Sequence, residues 1–285
     1  MSRVAAVTGS NKGIGYAVVR GLCKQFDGLV YMLARNAELG KKSVDQLKSE
    51  LSAQESCKLR FHVLDITDQK SVSEFRDHLS KEHGGLDVLV NNAGIAYKND
   101  STASFGEQAE VTLNTNYFGT KQTCQLLFPI LRPHARVVNV CSRVGQLTRG
   151  YGQNVIEILT KPELTVDELD RLVYQFVSLA KEGKHTDHGF PPSAYGMSKA
   201  AEIALSHIQF RQLSTDSRSD ILVNWCCPGF VATDMSSHKG TLTTDQGADT
   251  LIFLALLPNN AEWPRGKFVA ERKEVDWVHE KFQFA

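Results

Sequence analysis

Val4-Ala5-Ala6-Val7-Thr8-Gly9-Ser10-Asn11-Lys12-Gly13-Ile14-Gly15 is the stretch that decides the fold. Its four apolar residues read as a short strand buried on both faces, and the glycines after them as a tight turn that opens a helix. A strand, a glycine-rich turn and a helix in that order make a seat for a pyrophosphate. Glycine lets the backbone approach the phosphates, while free N–H groups and the helix dipole favour negative charge. Three glycines in a turn can also serve packing alone, so the rest of the chain has to agree.

Outward from that stretch, short apolar runs alternate with longer amphipathic ones, which predicts parallel strands joined by right-handed helical crossovers. Seven strands are expected at 3–7, 29–33, 59–64, 88–90, 136–140, 221–226 and 267–269. Helices are expected at 13–26, 39–53, 68–83, 108–131, 193–213 and 244–256. Segment 149–192 breaks the alternation: Leu164, Leu169, Leu172, Val173, Phe176 and Leu179 recur at helical spacing, which predicts a helical insertion. No repeat, low-complexity tract or linker divides the chain, so residues 1–285 are expected to form one domain.

NAD binders place an acidic group about 20 residues past the glycine turn, at the end of the second strand, to bond the ribose hydroxyls. Here that place holds Arg35. A carboxylate would repel the 2′-phosphate of NADP, whereas a guanidinium pairs with it bidentately, and Lys12 in the turn adds a second cation. Either cation alone reads as a solvated surface charge. Together, at these two places, they favour NADP(H).

The chain has 32 basic and 32 acidic residues, so it lacks the electrostatic footprint of a nucleic-acid or anionic-membrane binder. With 42% hydrophobic and 22% charged residues it reads as an ordinary folded chain. The first apolar run is too short for a signal segment and no later one would span a bilayer, which predicts a cytoplasmic location and no membrane partner. The six cysteines show no C-x-x-C pair, and Cys226-Cys227 reads as small apolar filler ending a strand. His185-x-x-His188 reads as a polar loop, and no metal site is expected.

Further along lie Asn91-Asn92-Ala93-Gly94 after the fourth strand, Asn116 in the next helix and Ser142 after the fifth strand. Tyr195-Gly-Met-Ser-Lys199 then opens a helix, and Pro228-Gly229 follows the sixth strand. With T-G-x-x-x-G-x-G at 8–15, this series resembles the short-chain dehydrogenase/reductase family in order and over nearly the whole chain. Within it the pattern is similar to the carbonyl reductases, from Gly84 to Gly94, Cys226-Cys227-Pro228-Gly229 and Thr233-Asp234-Met235. The separation of Ser142 from Tyr195, 195 − 142 = 53 positions, agrees with the helical insert of that group. The resemblance implies a Rossmann-like, doubly wound seven-stranded sheet with helices on both faces. It implies a monomer too, because such an insert covers the surface other members use for assembly. Cys141 and Phe230 depart from the usual serine and tryptophan, which bears on substrate preference and not on the catalytic set.

Reduction of a carbonyl by NADPH builds negative charge on oxygen, so the site must supply hydrogen-bond donors and finally a proton. Tyr195 can do both once a cation steadies its phenolate, and Lys199, four residues on along one helix face, is placed for that and for the nicotinamide ribose. Ser142, at the carboxyl end of a strand, can donate to the same oxygen. Each of these has an ordinary structural reading if taken singly.

Resemblance assigns Asn116 a water that relays protons from Lys199. It assigns the cofactor to Gly9, Ser10, Asn11, Lys12, Gly13, Ile14, Gly15 and Arg35, to Asp65 and Ile66 at the adenine, and to Asn92, Ala93 and Gly94 at the ribose. Pro228, Gly229, Val231 and Thr233 would meet the carboxamide. The substrate wall would be Tyr97, Gln108, Val144, Ala194, Trp225 or Phe230, and the insertion, which suits ketones, aldehydes and quinones. Glutathione conjugates are a further implied substrate class, with Cys227 near their path, although packing is the weightier role for that thiol. The alternatives are a dedicated steroid, prostaglandin or pteridine-side-chain reductase, and a catalytically silent NADP-sensing protein. The latter would be expected to lack the tyrosine or the lysine.

Overall fold

The computed structural model describes residues 2–98 and 100–280. Its frame is one sheet: β1 (Val4–Val7), β2 (Leu29–Ala34), β3 (Leu59–Val63), β4 (Leu86–Asn91), β5 (Leu131–Val140), β6 (Leu222–Cys226), β7 (Phe268–Ala270) and β8 (Lys273–Glu274). The spatial order is β3-β2-β1-β4-β5-β6-β7-β8. All neighbours are parallel except the β7–β8 pair.

The seven expected strands are all present. β8 is additional, a two-residue antiparallel return across a turn at Glu271 and Arg272, both at positive φ (52° and 57°). Two left-handed residues are what a type I′ hairpin turn demands.

The helices are α1 (Gly13–Gln25), α2 (Ala37–Glu50), α3 (Ala53–Ser56), α4 (Gln69–His83), α5 (Phe105–Leu113), α6 (Thr120–Leu127), α7 (Gln153–Leu159), α8 (Val166–Lys181), α9 (Ala194–Ser214) and α10 (Thr244–Ala255). Side chains of the inner strands are buried on both faces. Ala5 and Val7 of β1 join a cluster with α1, α2 and α10, while Val4 and Ala6 join one with α4 and α6. A third cluster unites α5, α8 and α9 with Trp225, Cys227 and Phe268.

Two expectations change. The helix expected at 108–131 is interrupted by a π-helical turn at Asn114–Gly119 and closes in a 3-10 turn at Phe128–Ile130, where Pro129 cannot continue it. β5 therefore begins at Leu131 instead of Arg136, with a register shift against β4 between Leu86 and Val88.

The insertion is helical, as its periodicity predicts. α8 starts at a capping box, Thr165 with Glu168, and buries Leu169, Leu172, Val173 and Phe176 against α5 and α9. His185 belongs to this packing instead of standing in solvent: its ring stacks on Phe105 at 4.3 Å and meets Phe176 edge-on.

Candidate active site

The order of the strands reverses between β1 and β4, so the loops after their carboxyl ends diverge and leave a crevice, where ligands of open α/β sheets bind. The two loops are bonded to each other. Thr8 Oγ1 accepts the N–H groups of Asn92 and Ala93, each at 3.0 Å, and Asn92 Nδ2 donates to the carbonyls of Thr8 and Gly9 at 2.9 and 3.0 Å.

Gly9 and Gly13 both have positive φ (59° and 60°). A Cβ at Gly9 would lie 2.7 Å from Ala93 Cα, so only glycine allows this approach. The amino end of α1 has no side-chain cap and no acidic residue in its first turn. Its N–H groups are free for an anion, and the residues present fit a dinucleotide pyrophosphate.

Arg35, just past β2, is exposed and has no hydrogen-bond or ionic partner among the described residues. Lys12 instead pairs with Asp234 at 2.7 Å, both exposed. That pair and the contact of Gly13 with Thr233, whose Cγ2 would lie 3.4 Å from an added Cβ, bring the loop after β6 over the glycine turn. Val231 is buried and bridges to Leu242.

Other expected cofactor residues already have partners within the protein. Ser10 is fully buried: its hydroxyl donates to Val7 O at 2.7 Å and its N–H to Leu33 O at 2.9 Å, so neither is left for a ligand. The Asn92 side chain is likewise used within the loops. Asp65 Oδ1 accepts from the N–H and hydroxyl of Thr67, and Ile66 is buried against Gly119.

Tyr195 and Lys199 stand in the first turns of α9, which starts from a Ser193 cap. The 3-10 turn Arg143–Gly145, introduced by Ser142, packs directly on it. A Cβ at Gly145 would sit 2.7 Å from Ala200 N, and one at Gly196 would sit 3.3 Å from Val144 O. Ser142 Oγ accepts the Val144 N–H at 3.2 Å and keeps its own hydrogen for another acceptor.

The Tyr195 hydroxyl has no hydrogen-bond partner among the described residues, and the Lys199 ammonium lies 5.6 Å from its ring centre. Burial raises the Tyr195 pKa, Lys199 pulls it down and Glu202 pushes it up. Lys199 Nζ donates to Val140 O at 2.9 Å and pairs with Glu202 at 2.7 Å.

Asn116, fully buried in the π turn, completes the floor. Its Oδ1 accepts from Ile95 N, and its Nδ2 donates to Ile95 O and to Ser198 Oγ. A Cβ at Gly94 would lie 3.2 Å from Asn116 Oδ1 and 3.8 Å from Lys199 Nζ, so the loop after β4 ends beside the lysine. A π turn inside an α-helix is a frequent companion of functional sites.

The family model for short chain dehydrogenase matches residues 3–154, just over half of the chain. The chain belongs to that family.

This short chain dehydrogenase is 46% identical over 278 residues to carbonyl reductase [NADPH] 1 of Mus musculus, covering 96% of this chain and 98% of the relative. It is 45% identical over 278 residues to carbonyl reductase [NADPH] 3 of Rattus norvegicus, covering 97% and 99%. Among solved structures, salutaridine reductase of Papaver somniferum superposes with a TM-score of 0.83 at 30% identity, covering 93% of this chain and 99% of that one.

Among the residues expected to line the substrate, Tyr97, Gln108 and Val144 are part-buried, Ala194 is nearly covered, and Phe230 is 40% exposed. Gln108 Nε2 donates to Ala103 O. Trp225 departs from expectation: it is fully buried in β6 with His207 packed on it at 4.4 Å. Cys227 is buried, with its N–H on Val269 O, in keeping with packing. Sequence reasoning missed Glu202. Its only advance signal was a carboxylate three residues after Lys199, a spacing shared by countless exposed helix pairs.

Proposed function

We propose that this chain reduces ketones, aldehydes and quinones with NADPH. The observation that carries the reading is the packing of the Ser142 turn against the helix bearing Tyr195 and Lys199, beside an uncapped glycine turn and an unpartnered Arg35. When bound, the reduced nicotinamide supplies the hydride. The chain's own residues do the rest.

Arg35 and Lys12 take the 2′-phosphate, the α1 N–H groups and Gly9 to Gly15 seat the pyrophosphate, and Ala93, Gly94, Val231 and Thr233 bound the nicotinamide half. Ser142 donates to the substrate oxygen, and Tyr195, also bonded to it, delivers its proton as charge develops there. Lys199 steadies the phenolate that remains. Asn116 Nδ2 gives both its hydrogens to Ile95 O and Ser198 Oγ, so the relay water expected beside it would donate to the second lone pair of Oδ1.

Purified protein with a quinone or a diketone is expected to consume NADPH far faster than NADH, and Tyr195→Phe to abolish turnover while NADPH binding persists. Equal use of both cofactors would refute the Arg35 assignment. Undiminished turnover in the variant would refute the acid.

The family relatives support carbonyl compounds as the substrate class, by their names as NADPH carbonyl reductases. Glutathione conjugates remain part of the proposed range. A single domain is supported by three core clusters that share one sheet, and a monomer by the seating of α8 on α5. A cytoplasmic location is part of the same proposal. Among the described residues no helix is long and apolar enough to cross a membrane.

A further inference from the structure

Lys199 is held from behind. Its ammonium has three hydrogens. One goes to Val140 O at the end of β5, and a second side of the ammonium faces the Glu202 carboxylate at 2.7 Å, one helical turn further into the protein. Lys199 is 5% and Glu202 2% exposed, so this pair is not the solvated helix-surface contact that i,i+3 spacing usually produces. The remaining side of the ammonium lies over the Tyr195 ring.

The other titratable groups facing Glu202 are Tyr195 on the same helix, Cys141 after β5 and Cys124 on α6. Burial pushes both thiols up, Cys124 to about 12, and they stay neutral. Around them lie neutral donors and acceptors: Asn139 Nδ2 donates to Ser206 Oγ and Gln209 Oε1, and Asn91 Nδ2 donates to Asn139 Oδ1. Lys199 is therefore the one cation against Glu202 in this seam of described residues.

We propose that Glu202 is a positioning residue, which holds the Lys199 ammonium back on its inner side and offsets its charge, so that Tyr195 stays a protonated phenol, ready to donate. This rests on Tyr195 being the acid. Opposite charges 2.7 Å apart act on a third group as a dipole, and the pull of a dipole falls off faster than that of a lone cation. Burial pushes the Glu202 carboxyl up against the opposing pull of Lys199, and the offset belongs to the ionised carboxylate, so it fades as the pH falls and the carboxyl takes up a proton. Without Glu202 the ammonium would act on Tyr195 undiluted and the phenolate would form at lower pH.

The test compares native protein with Glu202→Gln and Glu202→Leu in two measurements. One is the ultraviolet titration of tyrosinate, taken as the difference from the matching Tyr195→Phe protein, with no cofactor present. The other is the pH profile of NADP-dependent alcohol oxidation, which needs the phenolate. Both midpoints are expected to move down by about one unit or more, a roughly tenfold change in acidity. Glu202→Asp, which keeps the charge, is expected to restore part of the shift. Unmoved midpoints in a folded variant overturn the proposal, whatever happens to kcat. If neither neutral variant folds, Glu202 is a structural anchor and the proposal fails too. If native turnover does not depend on Tyr195 at all, the reading of the acid fails first, and the cofactor-free titration still reports on Glu202.

Discussion

Thr8 and Asn92 are bonded in both directions: the Asn92 N–H donates to Thr8 Oγ1 at 3.0 Å, and Asn92 Nδ2 returns to Thr8 O at 2.9 Å. This pair fixes the glycine turn against the loop that ends beside Lys199. Thr8→Val keeps the shape but removes the acceptor of the part-buried Ala93 N–H and one of the two acceptors of the Asn92 N–H. A loss of about 1–3 kcal/mol in stability follows, together with weaker NADPH binding. Denaturant unfolding and cofactor titration check both. A Thr8→Val protein that binds NADPH as tightly as native would show the link to be dispensable.

Arg35 is expected to set the choice of cofactor. Arg35→Asp replaces a free guanidinium with a carboxylate that repels the 2′-phosphate and can bond ribose hydroxyls. The kcat/KM ratio of NADPH to NADH is expected to fall on the order of 10- to 100-fold. An unchanged ratio would transfer the selectivity to Lys12, whose pairing with Asp234 makes it the weaker candidate.

Ser142→Ala removes the hydroxyl proposed to donate to substrate and not to cofactor. We expect kcat to fall by about two to three orders of magnitude, with the NADPH dissociation constant little altered. Stopped-flow and binding measurements separate the two. A defect confined to NADPH binding would contradict the role given to this hydroxyl.

At the opposite end of the sheet, Arg136 is 1% exposed and its guanidinium meets the Asp220 carboxylate at 2.9 Å. Burial pushes the Asp220 carboxyl up, but the Asn260 N–H, His134 and Arg136 outweigh it and hold it well below the usual carboxylate range. The stabilisation is thus complete above the unfolded value near 4 and disappears as pH falls through the lower folded value. Asp220→Ala is expected to cost about 3 kcal/mol or more at neutral pH, and to flatten the loss of stability below about pH 4. Thermal unfolding across that range reads the slope, and parallel curves for the two proteins would remove Asp220 from the account.

Strand positions were legible because burial on both faces leaves runs such as Val4–Val7 almost wholly apolar. β8 was not, since Lys273 and Glu274 are exposed and carry no pattern. The break in the helix between Gln108 and Leu131 was hidden because a π turn adds a residue without erasing the apolar spacing. Its true start was available, as Ser104 and Glu107 have the spacing of a cap. Motif positions located Tyr195, Lys199, Ser142 and Asn116, yet no motif tells which way a side chain faces. Ser10 and Asn92 are engaged internally, Trp225 is buried, and Glu202 matters through its depth, which no residue string displays.

β5 separates two tasks. Its middle holds Arg136 in the Asp220 knot, and just beyond its far end stands Ser142. At about 3.3 Å per residue, the six intervening steps put roughly 20 Å between them. Damage to the knot should lower melting temperature while sparing turnover in whatever fraction stays folded, and damage at the crevice should do the reverse. Robustness and selectivity can accordingly be retuned by separate mutations on a single strand.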